Sequence, residues 1–113
     1  KKNEYSIHLT HILGGFNGRF NKKDIILSEE CAFKEEFENS ILFYLRDKKI
    51  IRFNKISYNT AFYAKGGIND SGGRTIETER QHSLNLEEKY PDFVRLFVRK
   101  KNGRTDIRFN KRI

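Results

Sequence analysis

The three histidines of the chain, His8, His11 and His82, are its best candidates for acid–base catalysis. Cleaving RNA without a metal needs a base that takes the proton of the 2′-OH, an acid that protonates the leaving oxygen, and cations that stabilise the phosphorane. Imidazole suits the first two roles because its ordinary pKa lies near neutrality, and arginine and lysine suit the third. We therefore treat all three histidines as candidate catalytic residues, with a packed or surface imidazole as the alternative for each.

Metal chemistry is the competing use of these histidines. His8 and His11 are spaced so that both imidazoles would lie on one face of a helix, where they could share a metal ion. The sequence offers no pair of cysteines and no matching acid cluster to complete such a site. The glycine-rich segment 66–73 also lacks the Gly-Lys-Ser/Thr ending of a phosphate-binding P-loop. We therefore predict neither a metal nor a cofactor.

Positive charge is concentrated near the end of the sequence. The net charge is +8, and residues 95–113 contain eight Lys or Arg against a single acid, Asp106. A localised excess of this kind is typical of a surface that binds a polyanion, and RNA is the partner that we expect first. A solvated basic face is the alternative.

The basic segment reads as a β-hairpin. Asn102-Gly103 lies between two alternating runs, which predicts a two-residue type I′ turn with Lys101 opposite Arg104. In that register one face is apolar, and the other face carries cations at a spacing that suits a nucleic-acid backbone, with one aromatic ring that could stack a base. The predicted RNA-binding residues on this face are Arg95, Phe97, Arg99, Lys101, Arg104 and Arg108.

A second candidate phosphate clamp flanks the glycine-rich segment. Residues 66–73 contain four glycines, which predicts a mobile loop. Lys65 and Arg74 stand at its two ends, where they could hold a phosphate between them.

The other elements must position these groups. The clearest helix is predicted over 28–48, with Ser28 as its N-cap and Cys31 as a packed residue rather than a nucleophile. Alternation predicts a strand over 4–13, with a helical turn around the first two histidines as the alternative. Further strands are predicted over 50–58, 60–65, 74–79 and 82–86. The predicted fold class is α+β: an N-terminal helical region followed by a twisted antiparallel sheet that ends in a basic β-hairpin.

Length and composition indicate one domain over residues 1–113. Apolar residues make up only 36% of the chain, but ten Phe and five Tyr supply enough buried area for a core. No apolar run approaches the roughly 18 residues that span a bilayer, so we expect no membrane insertion. The single cysteine permits no internal disulfide, and the absence of methionine suggests the C-terminal piece of a longer protein.

The order of elements and one short motif resemble a known ribonuclease superfamily. A helical region followed by an antiparallel sheet with a basic hairpin is similar to the superfamily of barnase, EndoU, the tRNA-cutting colicins and RelE-like toxins. Phage-associated members carry a His-Leu-Leu-Gly-like motif near the start of the domain, and His11-Ile12-Leu13-Gly14 resembles it. The resemblance implies a functional role for His11 and for no other residue.

The resemblance also implies a function. The implied function is that of a metal-independent endoribonuclease that leaves a 2′,3′-cyclic phosphate. Such an enzyme would serve as an RNA- or tRNA-cleaving toxin domain in bacterial competition. Such a toxin would be secreted, delivered to the cytoplasm of the target cell, and matched by an acidic immunity protein. A non-catalytic nucleic-acid-binding module that uses only the basic hairpin is the alternative, and an adaptor for an acidic protein is a third.

Overall fold

The computed structural model describes residues 3–12, 17–19, 24–57, 59 and 75–110. Its elements in chain order are β1 (Tyr5–Ser6), a 3-10 helix (Glu29–Lys34), α1 (Glu35–Asp47), β2 (Arg52–Phe53), α2 (Ile76–Lys89), β3 (Val94–Val98) and β4 (Thr105–Phe109). The strands form two antiparallel pairs, β1 with β2 and β3 with β4. The α+β prediction, with an early helical region and a late basic hairpin, is confirmed.

The predicted helix over 28–48 is present but begins as a 3-10 helix. Ser28 occupies the N-cap position, yet its side chain does not cap the helix. Instead its backbone N–H donates to Glu38 Oε1 at 2.5 Å and its hydroxyl donates to Glu38 Oε2 at 2.8 Å. The buried carboxylate of Glu38 thus accepts both hydrogen-bond donors of Ser28. Lys48, in the left-handed conformation with φ of 63°, ends α1.

The strands predicted over 74–79 and 82–86 are wrong, because most of this stretch forms α2. The helix begins with a capping box: the Thr75 hydroxyl accepts from the Thr78 N–H at 3.1 Å, and the Thr78 hydroxyl accepts from the Thr75 N–H at 2.9 Å. This reciprocal pair satisfies backbone donors that a helix start otherwise leaves unpaired.

The buried face of α2 is partly polar, so the hydrophobic pattern of the sequence does not show its helical period. Glu79, Ser83 and Leu86 are its buried residues, at helical spacing, but the first two are polar. A stripe of buried polar residues produces no hydrophobic repeat, and Leu84 and Leu86 alternate with polar residues as in a strand. The Ser83 hydroxyl is satisfied by the Glu79 carbonyl oxygen at 2.8 Å.

The N-terminal strands are shorter than predicted. Among the described residues of 4–13 and 50–58, two in each stretch are strand, with Tyr5 opposite Phe53. Residues 8–12 form neither a strand nor a helical turn but run beside α1, where the Ile12 N–H donates to Ser40 Oγ at 3.2 Å. The predicted strand 60–65 and the glycine-rich loop 66–73 lie outside the described residues.

The hairpin has a different turn from the one predicted. Phe97 lies opposite Asp106, and the Arg99 N–H donates to the Arg104 carbonyl oxygen at 2.8 Å, which leaves a four-residue loop between them. A type I′ turn needs positive φ at both central residues, but in the described hairpin only Gly103 has it, with φ of 70°. The two-residue turn and its register are therefore wrong. The Asn102 side chain instead accepts from the Arg104 N–H, which stabilises the longer loop.

The predicted faces of the hairpin are nevertheless correct for most of its strand residues. The observed register differs from the predicted one by two residues, and side chains alternate with a period of two, so the shift does not exchange the two faces of the strands. Two residues differ from the prediction: Val98, expected in the core, is 63% exposed, and Arg104 turns to Glu79 of α2. Val94 and Ile107 are buried on the inner face, whereas Arg95, Arg99 and Arg108 are exposed on the other.

The core lies between the two helices and the hairpin. Its buried apolar residues are Leu9, Cys31, Ile41, Leu86, Val94 and Ile107. Cys31 is fully buried in this core, so the prediction of a packed cysteine is confirmed. Burial, with the nearby carboxylates of Glu38 and Glu30, raises the pKa of its thiol to about 11, which disfavours the reactive thiolate. Within the described ranges, no helix has the length and apolar character needed to cross a membrane.

Candidate nucleic-acid cleft

Five of the predicted site residues line one open cleft. The cleft has a volume of about 770 Å³ and lies between the segment that precedes α1, one face of α1 and the β3–β4 hairpin. The predicted residues in its walls are His8, His11, Phe97, Arg99 and Arg108. Thr10, Phe37, Asp106 and Asn110 also line it and were not predicted as site residues.

His11 is held in a fixed orientation on the α1 side. Its ring stacks on Phe37 with 4.2 Å between centroids and 11° between planes, and Phe37 in turn packs against Phe109. Its Nε2 lies 2.9 Å from Glu36 Oε2, and the two side chains are 30% and 36% exposed. An ionised carboxylate only accepts hydrogen bonds, so Nε2 carries the proton here. In the neutral form of the ring, Nδ1 is then the nitrogen with a lone pair.

The other residues of this wall are polar and more exposed. His8 is exposed at the edge of the cleft. The Thr10 hydroxyl accepts from Arg52 Nη1 at 3.1 Å, which brings one further cation next to the wall. Arg52 was not predicted as a site residue, because it lies in a segment whose pattern indicated only a strand.

On the hairpin side, the guanidinium groups of two arginines lie close to the Phe97 ring. The Arg108 guanidinium carbon lies 4.1 Å from the centroid of the Phe97 ring, and the corresponding carbon of Arg99 lies 5.7 Å from it. Both distances fall within the range of cation–π attraction. Phe97 thus gathers positive charge at the cleft and offers a flat surface beside it.

Arg99 is fixed by the one acid of the hairpin. Its Nε donates to Asp106 Oδ2 at 2.8 Å, and its Nη2 donates to the same oxygen. Asp106 Oδ1 accepts from the buried Lys34 ammonium at 3.1 Å. Burial alone would raise the pKa of Asp106, but the Ile107 N–H, Lys34 and Arg99 outweigh it and hold the pKa below its usual range.

Arg104 faces away from the cleft and belongs to the same ion network. Its Nη1 donates to Glu79 Oε2 at 2.6 Å, and its side chain is only 22% exposed. The other oxygen of Glu79 accepts from Lys34 at 3.1 Å. The network of Arg99, Asp106, Lys34, Glu79 and Arg104 therefore joins the 3-10 helix, α2 and both ends of the hairpin loop.

The remaining predicted residues lie elsewhere. Lys101 is exposed on the hairpin loop and lines a second concavity of about 410 Å³, whose wall also includes Phe97, Arg99 and Arg108. Arg95 lines a groove beside Glu87 and Glu88 of α2. Lys65 and Arg74 lie outside the described residues.

His82 is not in the cleft lining. Its ring stacks on Phe33 at 4.5 Å, and its Nδ1 accepts from the Phe33 backbone N–H at 3.2 Å. These contacts join α2 to the 3-10 helix, so the structure separates His82 from the other two histidines.

Glu36 is the site residue that sequence reasoning missed most clearly. It stands in the charged first turn of α1, where an acidic residue is expected because of the helix dipole. Its partner His11 is 25 positions away, and nothing in the sequence joins the two. Among the described residues, no group of three or more His, Cys, Asp or Glu side chains is arranged to hold a metal ion.

Comparison of the chain with protein-family models, with curated proteins and with solved structures found no match. Its function is therefore inferred from the chemistry of the cleft.

Proposed function

We propose that this chain is a metal-independent endoribonuclease that cleaves RNA to leave a 2′,3′-cyclic phosphate. The observation that carries the proposal is the meeting of His8 and His11 with Arg99 and Arg108 in one cleft. Acid–base groups and phosphate-binding cations are the two components that such a reaction needs. These residues come from opposite ends of the described chain and are brought together only by the fold.

The proton transfers follow from the state of His11. Glu36 keeps the proton of His11 on Nε2, so Nδ1 takes the proton of the 2′-OH while the 2′-oxygen attacks phosphorus. Glu36 then stabilises the imidazolium that forms, as a carboxylate does beside a general-base histidine. The bond from phosphorus to the 5′-oxygen breaks, and His8 donates a proton to that leaving oxygen. His82 takes no part, because it lies outside the cleft.

The hairpin supplies binding and electrostatic stabilisation. Arg99 and Arg108 would contact the phosphate oxygens, where an arginine fork can bind two oxygens at once. A base beside the scissile phosphate would stack on Phe97 or on the guanidinium plane of Arg108 that covers it. Lys101, on the adjoining concavity, would contact a neighbouring phosphate.

We further propose that the domain acts as a toxin in bacterial competition, with tRNA among its substrates. The resemblance of His11-Ile12-Leu13-Gly14 to the phage-associated toxin motif and the net charge of +8 support this. A toxin of this kind would be secreted, would act in the cytoplasm of the target cell and would need an immunity protein. An acidic partner is the natural complement to a cleft lined by Arg99 and Arg108.

The proposal is tested by incubating the purified domain with total tRNA, with and without EDTA. We expect cleavage in both, and products whose new ends resist phosphatase until mild acid opens the cyclic phosphate. Arg108→Glu should abolish cleavage, whereas Arg95→Glu, the same charge reversal outside the cleft, should retain most of it. Absence of cleavage on every RNA tried, or cleavage that EDTA abolishes, would refute a metal-independent ribonuclease.

A non-catalytic nucleic-acid-binding module is the second candidate. The observation that favours it is the packing of His11, which is stacked on Phe37 and paired with Glu36 as a structural histidine would be. Such a module would bind RNA with the same steep salt dependence but would leave the RNA intact. The tRNA incubation therefore distinguishes the two candidates directly.

A further inference from the structure

We infer that Asp106 and Lys34 are positioning residues that hold Arg99 ready for a phosphate of the bound RNA. The inference rests on the proposed nucleic-acid cleft, but it does not require that the cleft cleave its ligand. Asp106 touches Arg99 directly, and Lys34 acts one step behind it.

The contact between Arg99 and Asp106 leaves one edge of the guanidinium for a ligand. Nε and Nη2 both donate to Asp106 Oδ2, so the side edge of the group is occupied. A guanidinium has five N–H donors, and those on Nη1, with the second on Nη2, form its outer edge. Arg99 is 54% exposed and lines the cleft, so this outer edge is accessible to a phosphate.

Asp106 is itself prevented from moving. Its Oδ1 accepts from Lys34 Nζ at 3.1 Å and from the Ile107 N–H at 2.8 Å. Lys34 is only 7% exposed, and its ammonium is shared with Glu79 at 3.1 Å. Moving Asp106 away would leave the buried Lys34 ammonium with one carboxylate instead of two, which is unfavourable for a charge out of contact with water. The Asp106 carboxylate is therefore held in place, and it in turn orients the long Arg99 side chain.

Pre-organisation is what this carboxylate supplies to binding. A free surface arginine loses side-chain entropy when a phosphate immobilises it, whereas an arginine already held by Asp106 loses less. The opposing electrostatic view is that Asp106 merely neutralises Arg99 and repels the RNA. The two views predict opposite signs for the removal of the Asp106 charge, because neutralisation predicts tighter binding and positioning predicts weaker binding.

The test is a double-mutant cycle on RNA affinity. The ligand is a short single-stranded RNA with 2′-O-methyl groups, which has no 2′-OH nucleophile and is bound without being cleaved. Fluorescence anisotropy is measured at low salt and well below the melting temperature of each variant. Asp106→Asn should weaken binding by about 3- to 10-fold, although it raises the net charge by one. The exposed Asp92→Asn, which changes the charge equally outside the cleft, should leave binding unchanged or slightly tighter.

The Arg99→Ala background completes the cycle. There Asp106→Asn should no longer weaken binding and should behave like Asp92→Asn. If Asp106→Asn does not fold, Asp106→Glu replaces it: the charge is kept but the carboxylate moves, so binding should weaken only while Arg99 is present. Lys34→Met should mimic Asp106→Asn if it folds.

Three outcomes overturn the inference. If Asp106→Asn binds RNA as tightly as the parent or more tightly while Arg99 is present, the Asp106 carboxylate does not position Arg99. If Asp106→Asn does not fold, unchanged binding by Asp106→Glu leads to the same conclusion. An equal loss with and without Arg99 would show a general structural effect. A parent protein that binds no RNA would refute the proposed function as well, and that failure is seen in the first titration. A parent that binds but does not cleave refutes only the catalytic proposal.

Discussion

Substitution of His11 separates packing from catalysis, because its two kinds of contact can be removed independently. In His11→Ala the stack on Phe37 is lost, at a cost of about 0.5–1.5 kcal/mol. The pair with Glu36 is partly exposed and contributes about 0–1 kcal/mol. The free energy of unfolding should therefore fall by about 1–2 kcal/mol, which for a domain of 113 residues is a decrease in Tm of roughly 5–10 °C.

His11→Phe is the matched variant. A phenyl ring can keep the stack on Phe37 but cannot carry a proton or bond to Glu36, so most of the stability should be retained. If His11 is the general base, both variants should cleave RNA about 10²–10⁴-fold more slowly than the parent. His8→Ala, at an exposed position, should also slow cleavage while leaving Tm unchanged.

The assay is single-turnover cleavage of a labelled RNA, with Tm from circular dichroism on the same preparations. Cleavage at the parent rate by His11→Phe would refute the catalytic role of His11, whatever its stability. Slow cleavage by His11→Ala together with normal cleavage by His11→Phe would show that the ring matters only as a packing surface for Phe37.

Other predictions test the cleft, the core and the buried ionisable groups. Arg108→Ala should weaken RNA binding and reduce the slope of log K against log salt by about one; an unchanged slope would remove Arg108 from the phosphate contacts. Tyr90→Phe should lower the free energy of unfolding by about 1.5–3 kcal/mol in urea titrations, because the Tyr90 hydroxyl donates to the fully buried Glu38 carboxylate at 2.9 Å; a loss below about 0.5 kcal/mol would contradict this. Burial opposes ionisation of Glu38, but hydrogen bonds from Ser28 and Tyr90 and the charge of Lys89 hold its pKa below 4.5. Its contribution to stability is thus complete above pH 4.5 and is lost as the pH falls through the folded-state pKa, so Glu38→Gln should flatten the acid limb of stability measured against pH. Cys31 should react with a thiol reagent at neutral pH only after unfolding; rapid labelling of the folded protein would show that its burial is transient.

The faces of the hairpin could be predicted from the sequence because they depend only on alternation. The turn could not, because Asn102-Gly103 also fits a four-residue loop in which only Gly103 has positive φ. In the folded chain Asp106 contacts both Arg99 and Lys34, and Lys34 lies on the distant 3-10 helix. A local turn signal contains no information about that partner.

Predictions that depend on a hydrophobic repeat failed where buried residues are polar. In α2 the buried stripe includes Glu79 and Ser83, whose burial is made possible by Lys34, Arg104 and a backbone carbonyl. The two charged partners, Lys34 and Arg104, are not recognisable from local sequence. The same limit applies to Glu36: its type suits a helix start, and its contact with His11 exists only in the folded chain.

The two walls of the cleft are translated at different times. His8 and His11 precede both helices, whereas Phe97, Arg99 and Arg108 follow α2. A nascent chain that has been synthesised through α2 therefore contains both histidines and none of these three side chains. Because both walls are needed, the cleft cannot be completed until the hairpin has been synthesised. In a cell that produces the protein, the complete cleft exists only after the ribosome has passed the hairpin. A protein that covers the cleft has no complete surface to bind before then.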